Sequence, residues 1–237
     1  MTRACWAESL GGCAGGPSGE HHISASQFTG AKTIAIQGLS WCRDKTIEVG
    51  LNSLVAKHLC RGHNTALSPV DAEAMRFKHA LRDFHLGTLR DSVRIDGALV
   101  ERWLLKTAIN LHLADKSPAL QVTPPFVEMA FGQRATPKGQ GMFVVGHLGQ
   151  QLAFADGQIT FTTLQGVYSK QVAIAQFGFH GWTIVYAFAG AAPVDGAMRF
   201  GRAAGKHDVV IEWPTEHAHD DRIMQPYFDP LTGRQTS

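Results

Sequence analysis

The sequence predicts an α+β protein that changes character along its length. Cysteine and glycine concentrate in the first third, where regular periodicity is weak. Two stretches of helix-forming residues follow, over about residues 69–86 and 96–114. Beyond residue 117, prolines and glycines separate short strand-like segments, which is typical of a mostly antiparallel sheet. With 237 residues, 44% of them hydrophobic, the chain suffices for one large domain or two small ones.

The first helix has a clear predicted beginning and end. Ser68 is a predicted N-cap, Pro69 would take the first helical position, and Asp71 places a negative charge in the first turn. Gly87 marks the end of the helix. The second helix carries regularly spaced apolar residues, from Leu99 onward. Both helices are predicted to belong to the core rather than to read nucleic acid.

The strand predictions lie mainly in the C-terminal half. We expect strands over residues 142–146, 158–164, 171–177, 182–188 and 209–213. Four prolines argue against a helix between residue 117 and the first of these strands: Pro118, Pro124, Pro125 and Pro137. A short strand is also predicted over residues 33–37, whereas residues 51–60 suit a strand or a helical turn equally. Residues 215–237 are predicted to form a polar tail.

Charge and hydropathy exclude few classes of function. The formal net charge is +2, so the global charge does not indicate a nucleic-acid binder, and any phosphate-binding surface must be local. No apolar run approaches the length of a membrane span. Residues 1–16 do not resemble a secretory signal. The expected location is therefore the cytoplasm.

All four cysteines lie in the first sixty residues: Cys5, Cys13, Cys42 and Cys60. In a secreted protein they would form two disulfides, but in a cytoplasmic one their grouping near His63 indicates a metal site. The C-x2-H spacing of Cys60 and His63 lets both side chains turn toward one ion, and thiolate and imidazole are zinc-type ligands. Cys5 and Cys13 are the natural second pair, with Cys42 as a competitor for either place. The plain alternative is free buried cysteines beside a surface histidine.

A second group of polar residues, Glu20 and His21, lies between these cysteines in sequence. A carboxylate beside an imidazole lets one group hold a divalent cation while the other accepts a proton from water. The dipeptide alone is unspecific, and it gains meaning only from its neighbours in the sequence.

The order of the motifs resembles the HNH endonuclease family, also called His-Me finger or ββα-metal nucleases. A cysteine pair comes first, then EHHIS at residues 20–24, and then LCRGHN at residues 59–64, which leads into a helix. The resemblance covers about residues 5–75. It implies a β-hairpin and a helix that hold a catalytic metal, braced by a zinc knuckle.

Roles for single residues follow from the resemblance. His21 matches the general base that activates water, and Glu20 matches the acidic metal ligand before it. Asn64 matches a ligand of the catalytic ion, Mg²⁺ or Mn²⁺. Cys60 and His63 match the second zinc pair, with histidine replacing the usual cysteine.

The sequence also departs from the family pattern. Ser24 stands where proline is usual, and His22 offers a second imidazole, so the choice of base between His21 and His22 stays open. The middle asparagine of the family would fall near Val55, and the nearest one here is Asn52. Five cations around this site could touch substrate phosphates, with Lys57, Arg61 and Arg76 as the first choices beside Lys78 and Arg82. The plain alternative is a solvated basic face.

We therefore predict a metal-dependent endonuclease that hydrolyses phosphodiester bonds in nucleic acid, with DNA as the first choice. Residues 1–90 would form the zinc-braced nuclease module, 91–116 a bridging helix and 117–237 a β-rich accessory region. That region would position substrate, self-associate or bind a protein partner. The alternatives are a zinc-stabilised nucleic-acid-binding or scaffold module that does not cut, including a degenerate copy, and a metal-dependent hydrolase of other substrates.

Overall fold

The chain folds as a mixed α+β protein with small sheets. The computed structural model describes residues 5–24, 33–36, 40–42, 45–115, 120–137, 140–145, 160–165, 172–179, 182–188, 197–198, 202–203 and 207–213. Within these residues the α-helices are α1 (Arg61–Ala66), α2 (Ser68–His85), α3 (Gly97–Asp115) and α4 (Pro124–Ala130). None of the helices in these ranges combines the length and the apolar character that crossing a membrane requires.

The strands of the described residues form four sheets. In chain order they are β1 (Glu20–His21), β2 (Thr33–Ile36), β3 (Ile47–Gly50), β4 (Val55–Ala56), β5 (Val93–Asp96), β6 (Gly141–Val145), β7 (Thr160–Gln165), β8 (Val172–Phe179), β9 (Trp182–Ala187), β10 (Ala197–Met198), β11 (Arg202–Ala203) and β12 (Val209–Glu212). The largest sheet has the antiparallel order β10-β6-β9-β8-β7, β11-β12-β5 forms a second sheet, and β1-β4 and β2-β3 are two-stranded.

Strands β1 and β4 are the centre of a longer antiparallel strand pair, here called the hairpin, although β2 and β3 lie between the two strands in sequence. Glu20 lies opposite Ala56, and His21 lies opposite Val55. Toward the cysteines, Pro17 forms a bridge with Cys60. Residues 18–19 therefore oppose residues 57–59, so the second segment carries one extra residue. That extra residue makes a β-bulge, which bends a strand and re-aims its side chains.

Helices α2 and α3 pack against each other and against the sheets. Buried residues from Ala7 near one end to Trp213 near the other belong to one hydrophobic cluster. Trp103 of α3, 1% exposed, meets Phe177 of β8 with ring centroids 5.9 Å apart. The predicted boundaries at residues 90 and 116 stay a prediction, and the side chains on both sides of them share this core.

A parallel strand pair ties the last described strand to the middle of the chain. β12 pairs in parallel with β5, in the register Val209 with Val93 through Glu212 with Asp96. Asp96 then caps α3, since its Oδ1 accepts from the amides of the second and third residues of that helix, at 2.9 and 3.1 Å. Gly97 begins α3 directly against the Trp213 ring, where an added Cβ would lie 2.6 Å from ring carbons.

Both predicted core helices are present and shifted by about one residue. α2 begins at Ser68 itself, so Leu67 occupies the N-cap, and no side chain caps it. The prediction of Ser68 as N-cap was wrong because α1 ends only two residues earlier, which leaves no room for an extended capping residue. Gly87 does follow the end of α2, with a φ of +67° and its amide bonded to the Phe84 carbonyl at 3.0 Å.

The argument from prolines missed a helix. Pro124 and Pro125 occupy the first turn of α4, where an amide proton has no partner in the helix and proline is tolerated. The predicted strands match β6 to β9 within a few residues. The predicted strand at 209–213 is β12, which belongs to the smaller mixed sheet rather than to the antiparallel one. The predicted tail lies outside the described residues.

Candidate functional site

Four predicted metal ligands lie together near the N-terminus of α1. The ligand atoms of Cys5, Cys13, Cys60 and His63 are all within 4.8 Å of one another. Nδ1 of His63 lies 3.3 Å from the Cys5 sulfur, 3.6 Å from that of Cys13 and 3.3 Å from that of Cys60. Nδ1 is therefore the imidazole atom that shares a centre with the three sulfurs.

The loop of residues 11–16 brings Cys13 to this centre by bonding to the exposed amides at the start of α1. The Arg61 amide donates to the Gly16 carbonyl at 3.0 Å, and the Gly62 amide donates to the Ala14 carbonyl at 3.1 Å. Gly15 has a φ of +75°, and a Cβ there would lie 2.9 Å from the Arg61 side chain. Glycine at this position thus permits both the turn and the close approach.

Cys60 has two roles at the beginning of α1. It is the N-cap residue, and its sulfur accepts a hydrogen bond from the His63 amide at 3.4 Å. Burial raises the pKa of the Cys60 thiol, but hydrogen bonds from the backbone amides of His63 and Ala14, together with those from the Cys13 and Cys5 side chains, lower the pKa to about 6. The fold therefore favours a thiolate at Cys60, which is the form that binds a metal.

The three sulfurs affect one another's ionisation. Desolvation raises the pKa of the exposed Cys13 thiol to about 12, and the hydrogen bond and charge of Cys5 and then of Cys60 act in the same direction. Three thiolates this close together require a compensating cation. A tetrahedral zinc site places a sulfur and a nitrogen ligand about 3.5 Å apart. The spacing and the donor set of this cluster therefore fit a closed structural zinc site.

Cys42, the predicted competitor, is not one of the grouped ligands. Its side chain is 1% exposed and belongs to the hydrophobic core. The structure therefore favours Cys5 and Cys13 as the second pair of ligands.

The cluster is packed onto the helical core rather than exposed on a free knuckle. The His63 ring meets the Phe131 ring edge-on, with centroids 5.3 Å apart, and Trp6 meets the same phenylalanine at 5.7 Å. Trp6 also donates its indole proton to Asn110 of α3 at 3.0 Å. The residues that flank the metal ligands thus connect the cluster to α3 and to the end of α4.

The two candidate bases on and beside β1 differ in their surroundings. His22 is 7% exposed, and its ring packs against that of His58 with centroids 5.7 Å apart. His21 is half-buried and lies opposite Val55, which is 41% exposed. Successive residues of a strand point to opposite faces. His21 is therefore the histidine that water can reach from outside the hairpin.

Asn64 connects α1 to the start of the hairpin. Its Nδ2 donates to the Ser18 Oγ at 3.0 Å, across 46 positions of sequence. Because the amide nitrogen is used in this bond, the amide oxygen is the atom that can bind a cation. Glu20 lies two residues after Ser18, on β1. Helix α1 thus places Asn64 beside the strand that carries Glu20 and His21.

The remaining predicted residues are spread around this region. Asn52 is exposed on the 3-10 helix Leu51–Leu54, just before β4. Lys57 and Arg61 are exposed on either side of Cys60 in the sequence. Arg76 lies on α2, where it bonds to the Glu73 carboxylate at 2.8 Å and to the backbone carbonyl of Arg94. Those partners hold Arg76 against β5.

Sequence reasoning missed two sets of polar residues. His58 lies in the bulge and is 8% exposed, and no sequence motif around it indicated that it would be buried. The second set surrounds Asp71, which was predicted to favour the helix N-terminus electrostatically. Its carboxylate instead accepts from Ser24 and from Lys106. His112 of α3 is also buried, with 4% of its surface exposed and its Nδ1 bonded to the Ala108 carbonyl at 2.8 Å.

Comparison of the chain with family profiles, curated proteins and solved structures finds no match.

Proposed function

We propose that residues 5–85 form a zinc-braced ββα nuclease module that hydrolyses phosphodiester bonds in nucleic acid, with DNA as the first substrate to test. One observation carries the proposal. β1 pairs antiparallel with β4, α1 follows directly, and the Asn64 side chain closes back on Ser18 beside β1. Two motifs about forty residues apart in sequence are thereby brought into the strand–strand–helix order that the resemblance implies.

His21 is the proposed general base. A base must reach the attacking water, and the half-buried His21 satisfies this requirement better than His22, which is packed on His58. Its position on β1, held by pairing with β4, gives the imidazole a fixed place without a flexible loop.

Glu20 and Asn64 are the proposed ligands of a catalytic divalent ion. A carboxylate and an amide oxygen are hard donors that suit Mg²⁺ or Mn²⁺, whereas the thiolates of the Cys3His cluster suit zinc. When bound, such an ion supplies charge that stabilises the pentavalent phosphate and the leaving oxygen. Ser18 orients the Asn64 amide by accepting its Nδ2 proton, which presents the oxygen for coordination.

Exposed cations beside the hairpin would contact substrate phosphates. Lys57 follows β4, and Arg61 begins α1, so both flank the proposed centre. Arg76 is the weakest of the predicted contacts because Glu73 and the Arg94 carbonyl already use its guanidinium. We expect Lys57→Ala and Arg61→Ala to weaken binding at all sequences alike and to lower its salt dependence. Arg76→Ala should do so less.

The first test is incubation of the purified protein with supercoiled plasmid and Mg²⁺ or Mn²⁺. We expect nicking and linearisation that EDTA stops and that fresh Mg²⁺ or Mn²⁺ restores. Zinc alone should not restore cleavage, because the proposed structural and catalytic ions bind different donor sets. A parallel circular dichroism spectrum shows whether EDTA has left the fold intact.

Asn64→Ala tests the metal ligand separately. It removes an oxygen donor rather than a proton acceptor, so we expect a higher divalent concentration for half-maximal cleavage. Ser18→Ala, which loses only the orienting hydroxyl, is the matched control and should shift that concentration less. If the wild-type protein binds nucleic acid but no divalent ion supports cleavage, the non-cutting binding module replaces this proposal. Turnover of a different ester with no action on nucleic acid would favour the general hydrolase.

A further inference from the structure

Three parts of the fold meet at a buried chain of hydrogen bonds that the proposed chemistry does not use. Ser24 lies three residues after His21, Asp71 lies in the first turn of α2, and Lys106 lies in the middle of α3. The Ser24 Oγ donates to Asp71 Oδ1 at 2.5 Å, and the Lys106 Nζ donates to both Asp71 oxygens at 3.0 Å. Trp103 of α3 donates its indole proton to the Ser24 Oγ at 3.1 Å.

Each hydrogen bond in this network has only one possible donor and one possible acceptor. Lys106 and Trp103 can only donate, and Asp71 accepts. Ser24 has a single hydroxyl proton, which goes to Asp71 and leaves a lone pair for the indole of Trp103. A network with a single consistent arrangement holds its members more rigidly than one whose hydroxyls can rotate between partners.

Charge fixes the carboxylate in place. The Lys106 side chain is 2% exposed and that of Asp71 is 24% exposed. Burying an ammonium group without a counter-charge strongly destabilises a fold. The ion pair with Asp71 compensates the Lys106 charge and keeps the Asp71 carboxylate beside it. The pair in turn offers Ser24 a charged acceptor, and hydrogen bonds to charged groups are stronger than neutral ones.

The segment just before Ser24, residues 20–23, carries the proposed base. Ile23 is fully buried, Ser24 is 8% exposed, and the His22 amide donates to the Leu54 carbonyl at 2.7 Å. β1 itself has only two residues, so its pairing with β4 contributes few ladder bonds. The Ser24 side chain therefore adds an anchor on α2 and α3 to the backbone pairing that holds this segment.

We propose that Ser24, acting through Asp71 and Lys106, is a positioning residue that fixes His21 relative to Asn64. This inference rests on the proposed function. Loss of the Ser24 hydroxyl should let the end of the segment move, while the Cys3His cluster and the Asp71–Lys106 pair stay in place. A displacement of about 1 Å can cost up to a hundredfold in rate, so a partial loosening should cost about tenfold.

The variant Ser24→Ala tests this with two readouts. We expect kcat for nucleic-acid cleavage to fall about tenfold, with KM and zinc content unchanged. Hydrogen exchange of the His22 amide, followed by NMR, should accelerate by about the same factor. Ser24→Thr keeps the hydroxyl and should restore both values to within about threefold of the wild type. The matched control is Ser40→Ala, which removes a comparable serine–aspartate bond, from Ser40 to Asp115, at 2.6 Å. It should leave both values unchanged.

The outcomes separate the two proposals. If wild-type protein cuts and Ser24→Ala cuts equally fast, the positioning role is overturned, whatever happens to stability. Unchanged His22 exchange in Ser24→Ala overturns it as well, even without a cleavage assay. If the wild type cuts nothing under any divalent ion, the proposed function fails and the role of Ser24 in it falls too. Should Ser24→Ala not fold, Ser24→Cys keeps a weaker donor, and an unchanged kcat there would overturn the inference.

Discussion

Two places at which the described part of the chain brings ionisable side chains together differ in how their charge is balanced. Lys106 and Asp71 form an ion pair in which each charge has its counterpart, and Ser24 completes the carboxylate's hydrogen bonds. The Cys3His cluster groups three thiols around one imidazole, where desolvation and the neighbouring sulfurs raise the pKa of the Cys13 thiol while hydrogen bonds favour the Cys60 thiolate. The first site is complete as the chain folds it, whereas the second calls for a cation from solution.

The largest expected effect comes from breaking the incomplete site. Structural zinc contributes about 10–16 kcal/mol in small zinc modules, which is as large as the about 5–15 kcal/mol by which whole domains are stable. The purified protein should therefore carry about one zinc per chain, and Cys60→Ser should lose the metal and unfold the first part of the chain. Elemental analysis measures the zinc content, and hydrogen exchange of the α1 amides measures the unfolding.

Cys42→Ser is the control for that experiment, because Cys42 is buried in the core outside the cluster. It should keep the full zinc content. Folded, zinc-free wild-type protein would contradict the interpretation of the cluster as a metal site.

The complete site should respond differently to single and paired replacement. Asp71→Asn leaves the Lys106 charge buried without its counterpart, so we expect a loss of about 3–5 kcal/mol in the free energy of unfolding. The double variant Asp71→Asn/Lys106→Met removes both charges and should recover most of that loss. Urea unfolding of the wild type, the single variant and the double variant measures these free energies. A double variant as unstable as the single one would mean that the two sites do not differ in charge balance as described.

A double replacement at the Cys3His cluster gives the corresponding test there. Cys60→Ala/His63→Ala removes two partners together, but it also removes two ligands of a four-ligand site. No recovery relative to Cys60→Ala is expected there, and a recovery would show that the cluster is held by its own contacts rather than by a metal.

The smallest expected effect is a pH dependence within α3. Burial lowers the pKa of His112 below 6.5, although the Ala108 carbonyl and Asp115 act in the opposite direction. The unfolded chain then binds more protons than the folded one between the folded pKa and 6.5. The contribution to stability is therefore complete above pH 6.5 and is lost as the pH falls from 6.5 toward the folded pKa.

His112→Gln should remove this part of the slope, which is at most about 1.4 kcal/mol per pH unit for one group. His85→Gln, at an exposed position on α2, is the control and should keep the wild-type slope. Equal slopes for wild type and His112→Gln between pH 5 and 7 would contradict the effect of burial on His112.

The features that the sequence predicted well are those that depend on interactions between neighbouring residues. The start of α2 near Pro69 and its end before Gly87 depend on neighbouring residues, and both were predicted to within about a residue. The grouping of Cys5, Cys13, Cys60 and His63 was likewise predictable, because cysteines confined to one part of a sequence beside a histidine are typical of a metal site.

The rest depends on contacts between distant segments. The pairing of β5 with β12 joins residues 116 positions apart, and no local pattern encodes it. α3 is buried on nearly all sides, including its polar residues Lys106 and His112. Because such residues usually lie in solvent, the sequence did not indicate that they form hydrogen bonds inside the core. The inward position of His58 arises from the bulge, which appears only when the two segments are paired.

The central claim is that the hairpin and α1 form a hydrolytic centre with His21 as its base. Its most direct test is plasmid cleavage by His21→Ala and His22→Ala at saturating Mn²⁺, with zinc content and nucleic-acid binding measured on the same samples. We predict that His21→Ala keeps its zinc and its binding while cleavage falls by on the order of a hundredfold or more. His22→Ala should be milder. Abolished cleavage in His22→Ala with normal cleavage in His21→Ala would shift the motif by one residue, and equal, unimpaired cleavage in both would contradict the claim.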